Sequence, residues 1–562
     1  MELNHWQPET ANPRGYVGFG SGTTAITGQT TRAPNSYAAA LLGLVNNYSK
    51  SIQFYEMKTR EWQLGFYVRD RWQVSRKLTV NLGLRYEYYP LINRGDRGIE
   101  RWDPATNIAY FGGLGGTPRD AGITVSKRLF GPRAGLAYRI GDKWVMRSGF
   151  GLTYDPLPFG RPLRGLYPST LTGSWVPTVS TYGWYNTLNE GIPDIPAPDV
   201  SKGQAQLPLN IDMGPRSPWG GMIHRGYIMS WNGTVERQLP FNMIGSVGYV
   251  ATRTIHQLID RNINSVGPGV GTTTANLPLA KLYGRTIAMN MWDGIGTSNY
   301  HSLQALLTKR LSQGLMVRAS YTFGKSLSMA DEDGWTALAG GWNWDPVVKR
   351  NYAPSGYDRT HMLTAGWNYE LPVGNGKRLA IQNKVADFIA GGWKLSGIFV
   401  AYSGLPFTVS GSGSSLQATG NSQTADQIAP VVKLGGKGPN NPYYDPMSFR
   451  DPLFAFTATG NTVYRFGSTG RNILRGPGYW QLSPAIFKDF KIKEKVTAEF
   501  RAEATNFTNT PIWGTPNASS SSLRLNSDGS LNKSVADPLQ NFMCITGATA
   551  GRQFRFGLRV AF

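Results

Sequence analysis

Five histidines, His5, His224, His256, His301 and His361, are the side chains best suited to ligate a metal or move a proton, and none pairs with another at metal-ligand spacing. Neither G-x-S-x-G nor H-E-x-x-H occurs, so no nucleophile elbow and no zinc-protease helix is encoded. Gly324-Lys325-Ser326 lacks the earlier glycine that a phosphate-cradling loop requires and fits the outer end of a strand. Asp331-Glu332-Asp333-Gly334 starts like a calcium loop without the later ligands; a solvated acidic loop is the simpler reading, with a loop-bound calcium as the alternative. Cys544 stands alone, which excludes an internal disulfide and a cysteine-based metal site. The expectation is a protein that is not an enzyme, with no catalytic residue, no metal and no cofactor.

Recognition is the chemistry that remains. Trp175, Tyr182, Trp184, Tyr185 and Trp219 fall in one long polar stretch, Trp335, Trp342 and Trp344 in another, and Tyr443 and Tyr444 in a third. Aromatic faces suit flat ligands and sugar rings, so Trp175, Trp184, Trp219, Trp335, Trp342 and Trp344 are candidate ligand contacts. The alternative is that they pack the loops that carry them. Net charge is +22, but the basic residues form no cluster, and nucleic acid is not the expected partner. A lumen lined by arginine, or loops facing anionic lipopolysaccharide, explains the charge as well.

The elements that would hold these loops are strands. In the last residues, Phe554, Phe556, Leu558, Val560 and Phe562 alternate with Arg555, Gly557, Arg559 and Ala561. Successive strand side chains point to opposite faces, so one face is wholly apolar and the other carries two arginines. Leu78–Tyr89, Lys143–Tyr154, Leu315–Phe323 and Val496–Thr505 show the same alternation with no charge on the apolar face. Lipid enforces such purity, because an Arg or Lys at mid-bilayer costs about 2–4 kcal/mol. Weaker examples are Trp62–Trp72, Leu129–Ile140, Tyr227–Leu239, Met243–Val250, Ser302–Leu311, Arg359–Leu371, Trp393–Tyr402 and Tyr479–Phe490. That makes about thirteen strands, and Tyr48–Lys58 and Gly15–Gly20 within the N-terminal segment 1–61 are candidates for one or two more. Pro484 predicts a bulge or break in its strand.

Short and long connections alternate along the chain, as they do in outer-membrane barrels with short periplasmic turns and long extracellular loops. Hydrophobic residues are 40% and the longest apolar run is far below the roughly 20 residues of a spanning helix, so any spanning is by strands. Most strands reach ten residues, longer than the 5–6 typical of a soluble sandwich or propeller, which is the rival fold. No secretory signal opens the chain, and an exported barrel is expected to begin upstream of Met1.

On Tyr67–Tyr88, Gly131–Asp155, Gly356–Pro372, Gly391–Phe407, Gly470–Phe507 and Phe554–Phe562, the chain resembles the barrel of TonB-dependent outer-membrane receptors of the Oar-like kind. The resemblance implies an all-β, transmembrane antiparallel β-barrel, here about 13–15 of the family's roughly twenty-two strands, spanning 62–562. It implies location in the outer membrane of a Gram-negative bacterium and energy-coupled uptake of a scarce, bulky substrate such as a glycan, peptide or metal chelate. No plug domain or TonB-binding motif is visible, so TonB would engage only through a plug this chain lacks. Outer-membrane lipid, lipopolysaccharide and the barrel-assembly machinery are the other expected partners. Arg555, Gly557, Val560 and Phe562 look like the assembly signal, an edge strand open to capture by strand addition. Arg85, Glu87, Arg147, Arg318, Glu499, Arg501 and Glu503 are expected to face the lumen, toward a plug in a complete receptor or toward each other across strands. A passive outer-membrane channel and a soluble secreted carbohydrate-binding β-protein remain the alternatives.

Overall fold

The computed structural model describes residues 2–7, 13–26, 33–55, 57–156, 167–177, 182–209, 211, 217–223, 225–331, 337–454, 464–493, 496–549 and 551–562. Its framework is one fifteen-stranded sheet, from which two short strands, Ser217–Pro218 and Ala353–Pro354, pair off the main path. The other thirteen form a meander in strict chain order. They are β1 (Leu64–Gln73), β2 (Leu78–Tyr88), β3 (Leu129–Arg139), β4 (Trp144–Tyr154), β5 (Tyr227–Leu239), β6 (Met243–Asn262) and β7 (Asn290–Ser312). They continue with β8 (Leu315–Ser328), β9 (His361–Glu370), β10 (Trp393–Tyr402), β11 (Tyr479–Lys493), β12 (Val496–Thr505) and β13 (Gln553–Ala561). Each pairs antiparallel with its sequence neighbours, so the alternation in each strand is inherited by one continuous wall.

The registers bring the apolar faces together. Leu82 stands opposite Ala134, which meets Phe150 and then Trp231. Val247 lines up with Ala305, Tyr321 and Leu363, and Leu395 with Ile486, Ala502 and Phe556. Among the described residues no second layer covers this face: Phe66 is 66% exposed, Val247 52% and Phe556 71%. A sandwich buries both inner faces, so the soluble rival fails here. Charges on the apolar face stand mostly near strand ends. Arg237 lies over the Trp144 ring at 4.7 Å at the short-link end, while Arg253 and Lys325 occupy the opposite end. Asp70, on the edge strand β1, and Lys488, in β11, are exceptions.

Both β6, with 20 residues, and β7, with 23, run far past the boundaries that the sequence predicts. At about 3.3 Å per residue β7 extends roughly twice the length of a spanning strand. Beyond Ile255 the alternation lapses because register shifts fall at Ile255/Gln257 and Gln257/Ile259, with His256 at φ 56°. Tyr48–Lys58 and Gly15–Gly20 add no strand to the wall. Asn47–Gln53 instead pairs with Tyr16–Gly18 and Thr170–Trp175, and Met57–Trp62 pairs with Glu2–Gln7 and Asn93–Arg94. Lys50 falls between Tyr48 and Ile52, so the face of the first segment that holds Tyr48, Ile52 and Phe54 also carries a charge. Pro484 produces no bulge either. The ladder to β10 passes through it without a shift, and the ladder to β12 starts just past it at Ala485, where a missing N–H costs nothing.

Among the described residues β1 and β13 do not pair, so the wall has two free edges. The long connections all leave the same end and pack on one another. One core joins Trp102, Phe111, Tyr167, Leu171, Leu279 and Met291; another joins Phe407, Tyr443, Phe449, Phe542 and Ile545. The result is an ordered cap over one mouth of the wall.

Candidate functional site

Opposite the apolar face, the pleat gathers a polar one. Arg85, Glu87, Arg147, Arg318, Glu499, Arg501 and Glu503 all lie on it, since each alternates with the apolar row of its strand. Arg85 Nε donates to Glu87 Oε1 at 2.6 Å, and Arg147 approaches Glu236 at 3.6 Å. Glu499 and Glu503 stand directly opposite Arg559 and Arg555. Lys394 Nζ reaches Asp489 at 2.7 Å, and Asp489 is opposite Glu499, so opposite charges flank that like-charged pair.

Gly557 faces Arg501 across β12 and β13. A Cβ there would lie 2.7 Å from Arg501 Nε and 3.1 Å from its Cγ, so the arginine crosses the strand only because the glycine is bare. We expect Gly557→Val to displace Arg501 at a cost of about 1–3 kcal/mol and to lower the folded fraction seen as heat-modifiable mobility on gels. Gly557→Ala should cost less. The other residues of the expected assembly signal divide by face: Arg555 lies opposite Glu503, and Val560 and Phe562 are 50% and 98% exposed.

At the loop end of β2 lies a buried polar knot that the sequence did not disclose. Arg225 Nη2 donates to the Tyr89 carbonyl at 2.9 Å, its Nη1 to Asp155 O at 3.3 Å, and its guanidinium lies 5.3 Å from the Tyr89 ring centroid. Burial, then the bond to the Glu87 carboxylate, push the Tyr89 phenol up to about 12. Burial also raises the Glu61 carboxyl and lowers the Arg225 guanidinium. Nearby, Arg94 and Arg97 both grip Glu100, at 2.9 and 2.8 Å, all three fully buried. Such partners lie up to 136 residues apart, so no local spacing could have revealed them.

The tryptophans fall into different environments. Trp342 is 1% exposed beneath the Arg350 guanidinium at 5.0 Å, inside the cap. Trp344 stacks on Phe466 with centroids 6.5 Å apart, and Trp175 is half-buried in the sheet with Asn47–Gln53. Trp184 is 50% exposed. Trp335, His224 and the Glu332-Asp333-Gly334 stretch lie outside the described residues. Asp331 itself accepts from Arg471 at 2.6 Å and from the Gly356 N–H at 3.0 Å, which ties it to the cap.

Trp219 lines a cleft of about 370 Å³ with Met222, His256, Leu258, Trp292 and Ile295. Trp292 is 3% exposed and its indole N–H has no acceptor among the described residues. His256, at the bulge of β6, holds the Gly294 carbonyl at 3.2 Å through Nδ1. The cleft therefore combines aromatic faces, one unspent donor and the Asp293 carboxylate, a lining suited to a ring-bearing group with an acceptor.

A protein-family model described as outer membrane beta barrel domain matches residues 1–555. No curated protein matches the chain. Among solved structures, the ferripyoverdine receptor of the outer membrane of Pseudomonas aeruginosa aligns at 11% identity and TM-score 0.39, covering 92% of this chain and 40% of that one. The unliganded ferric citrate transporter FecA aligns at 9% identity and TM-score 0.38, covering 92% and 46%. A mutant ferric enterobactin receptor PfeA from Pseudomonas aeruginosa aligns at 9% and 0.39, covering 96% and 48%. The chain spans less than half the length of each of these structures.

Proposed function

Because the chain belongs to the outer membrane beta barrel domain family, we propose that it supplies part of the wall and the outer cap of a TonB-dependent receptor that takes up a bulky, scarce substrate. The family places it in the outer membrane of a Gram-negative cell, as a membrane barrel and not an enzyme. The observation that carries the proposal is the open wall: among the described residues, thirteen strands in sequence with both edges unpaired. Eight strands already close around packed side chains, sixteen to eighteen leave a channel, and about twenty-two need a plug. A wall of thirteen strands already exceeds the eight-stranded class filled by its own side chains, which supports a lumen wide enough for cargo. Glu2–Gln7 pairs with Met57–Trp62 so that Glu2 lies opposite Trp62, next to the start of β1. The packed cap argues against a simple open pore, and its cleft offers a place for first capture.

The test is uptake by cells that carry the complete gene. Accumulation abolished by a protonophore supports energy coupling; accumulation that merely follows the outside concentration assigns a passive channel instead. In the same assay Trp219→Ala should weaken apparent affinity by roughly two- to tenfold, the equivalent of about 0.5–1.5 kcal/mol of aromatic contact, without altering the maximal rate.

A further inference from the structure

The link between β9 and β10 carries a seven-residue helix, α1 (Lys384–Ala390). Asn383 caps its start, accepting from the Val385 and Ala386 N–H groups at 2.9 and 3.1 Å. Asp387 turns back to the link and accepts from Asn375 N at 2.7 Å. The helix leaves three large apolar side chains uncovered: Val385 at 69%, Phe388 at 53% and Ile389 at 64% exposure.

Through the half-exposed Phe388 and its C-terminal end, the helix also rests on the apolar face of the wall. Phe388 packs on Phe490 with ring centroids 5.1 Å apart. The Ile389 carbonyl accepts from Trp393 Nε1 and from Lys488 Nζ, both at 3.0 Å, and the Gly391 carbonyl accepts from Lys488 Nζ at 2.6 Å. Lys488 and Phe490 belong to the row that faces hydrocarbon, since Lys488 pairs with Phe500 and Phe490 with Ala498. A bare ammonium there would be costly to hold against lipid. Instead Lys488 is 2% exposed, set 5.0 Å from the Trp393 ring and 5.1 Å from the Phe490 ring, with its charge on the carbonyls at the negative end of α1.

We propose that α1 is an interfacial anchor in the periplasmic leaflet, its Val385, Phe388 and Ile389 side chains seated among phospholipid acyl chains and its C-terminal end tethered to the wall by Lys488. Continuity decides the occupant. The helix lies on the outside of the same face that meets hydrocarbon, at the end holding the short links, and its apolar side prolongs that face to the headgroup level. A short amphipathic helix in that position lies in the plane of the interface.

Spin labels placed singly by Val385→Cys, Ile389→Cys and Lys384→Cys test it in the protein purified from outer membranes into phospholipid nanodiscs; Cys544, 1% exposed, adds little background. Val247→Cys serves as the wall control. The expected result is that oxygen broadens the 385, 389 and 247 signals while a water-soluble nickel chelate loses its effect on them and keeps it at 384. If 247 is lipid-accessible but 385 and 389 respond to nickel as 384 does, the anchor is overturned and the membrane wall stands. Lys488→Met should then narrow the spectrum at 389 as the tether is lost. An unchanged spectrum at 389 overturns the tether.

Discussion

A Val247→Arg substitution lowers the stability of the wall in a bilayer by about 2–4 kcal/mol, whereas Ser246→Arg, one residue away, stays within about 0.5 kcal/mol of the parent. Both side chains leave the same stretch of β6, and both grow by the same guanidinium. They differ only in the side of the pleat. Val247 is flanked by Val235 and Ala305 on the apolar face, 52% exposed, with nothing but lipid to meet the charge. Ser246 stands opposite Glu236 on the polar face, where the new arginine gains a carboxylate. Urea titration of protein refolded into vesicles reads the difference. Equal costs at the two positions would mean that a second protein layer, rather than hydrocarbon, lies against Val247.

That contrast rests on the feature the sequence made most legible. Alternation in β2, β4, β8 and β12 was clean because lipid tolerates no charge on one face and water no long apolar run on the other. The same rule located all thirteen wall strands and the side on which they turn tightly. It failed where lipid stops acting. Past Ile255 the strands β6 and β7 continue into the cap, pairing Gln257 with Gly296 and Ile259 with Asp293, and no bilayer imposes a two-residue period there. The pattern faded although the hydrogen bonds did not.

The cap was the least legible part, for a related reason. Its order comes from single arginines that gather backbone carbonyls from distant loops, and a carbonyl leaves no mark in a sequence. Arg471 holds Ser328 O and Asn351 O, and Arg350 holds Gly467 O and Thr469 O. The loop tryptophans looked alike before folding, yet Trp342 became core while Trp184 and Trp219 stayed accessible. Composition gave their chemistry, and only packing separated scaffold from surface.

Arg285 is where this dependence is greatest, and Arg285→Met should loosen the cap by at least about 3 kcal/mol while leaving the wall intact. The arginine follows the Gly284 cap of the helix Pro278–Tyr283 and is wholly buried. Its Nη2 donates to Asn107 Oδ1 at 2.9 Å, Leu207 O at 2.7 Å and Pro208 O at 3.0 Å, and its Nη1 to Ile211 O at 2.6 Å. Methionine fills similar space but donates nothing, so several buried acceptors lose a partner at roughly 1–3 kcal/mol each. Lysine keeps the charge and three of the donors, and an intermediate effect is expected from Arg285→Lys. Limited proteolysis should cut Arg285→Met near 105–107 and 207–211 at concentrations that spare the parent, with heat-modifiable mobility unchanged. Loss of both together would show instead that the cap and the wall unfold as one unit, because the long extensions of β6 and β7 belong to each.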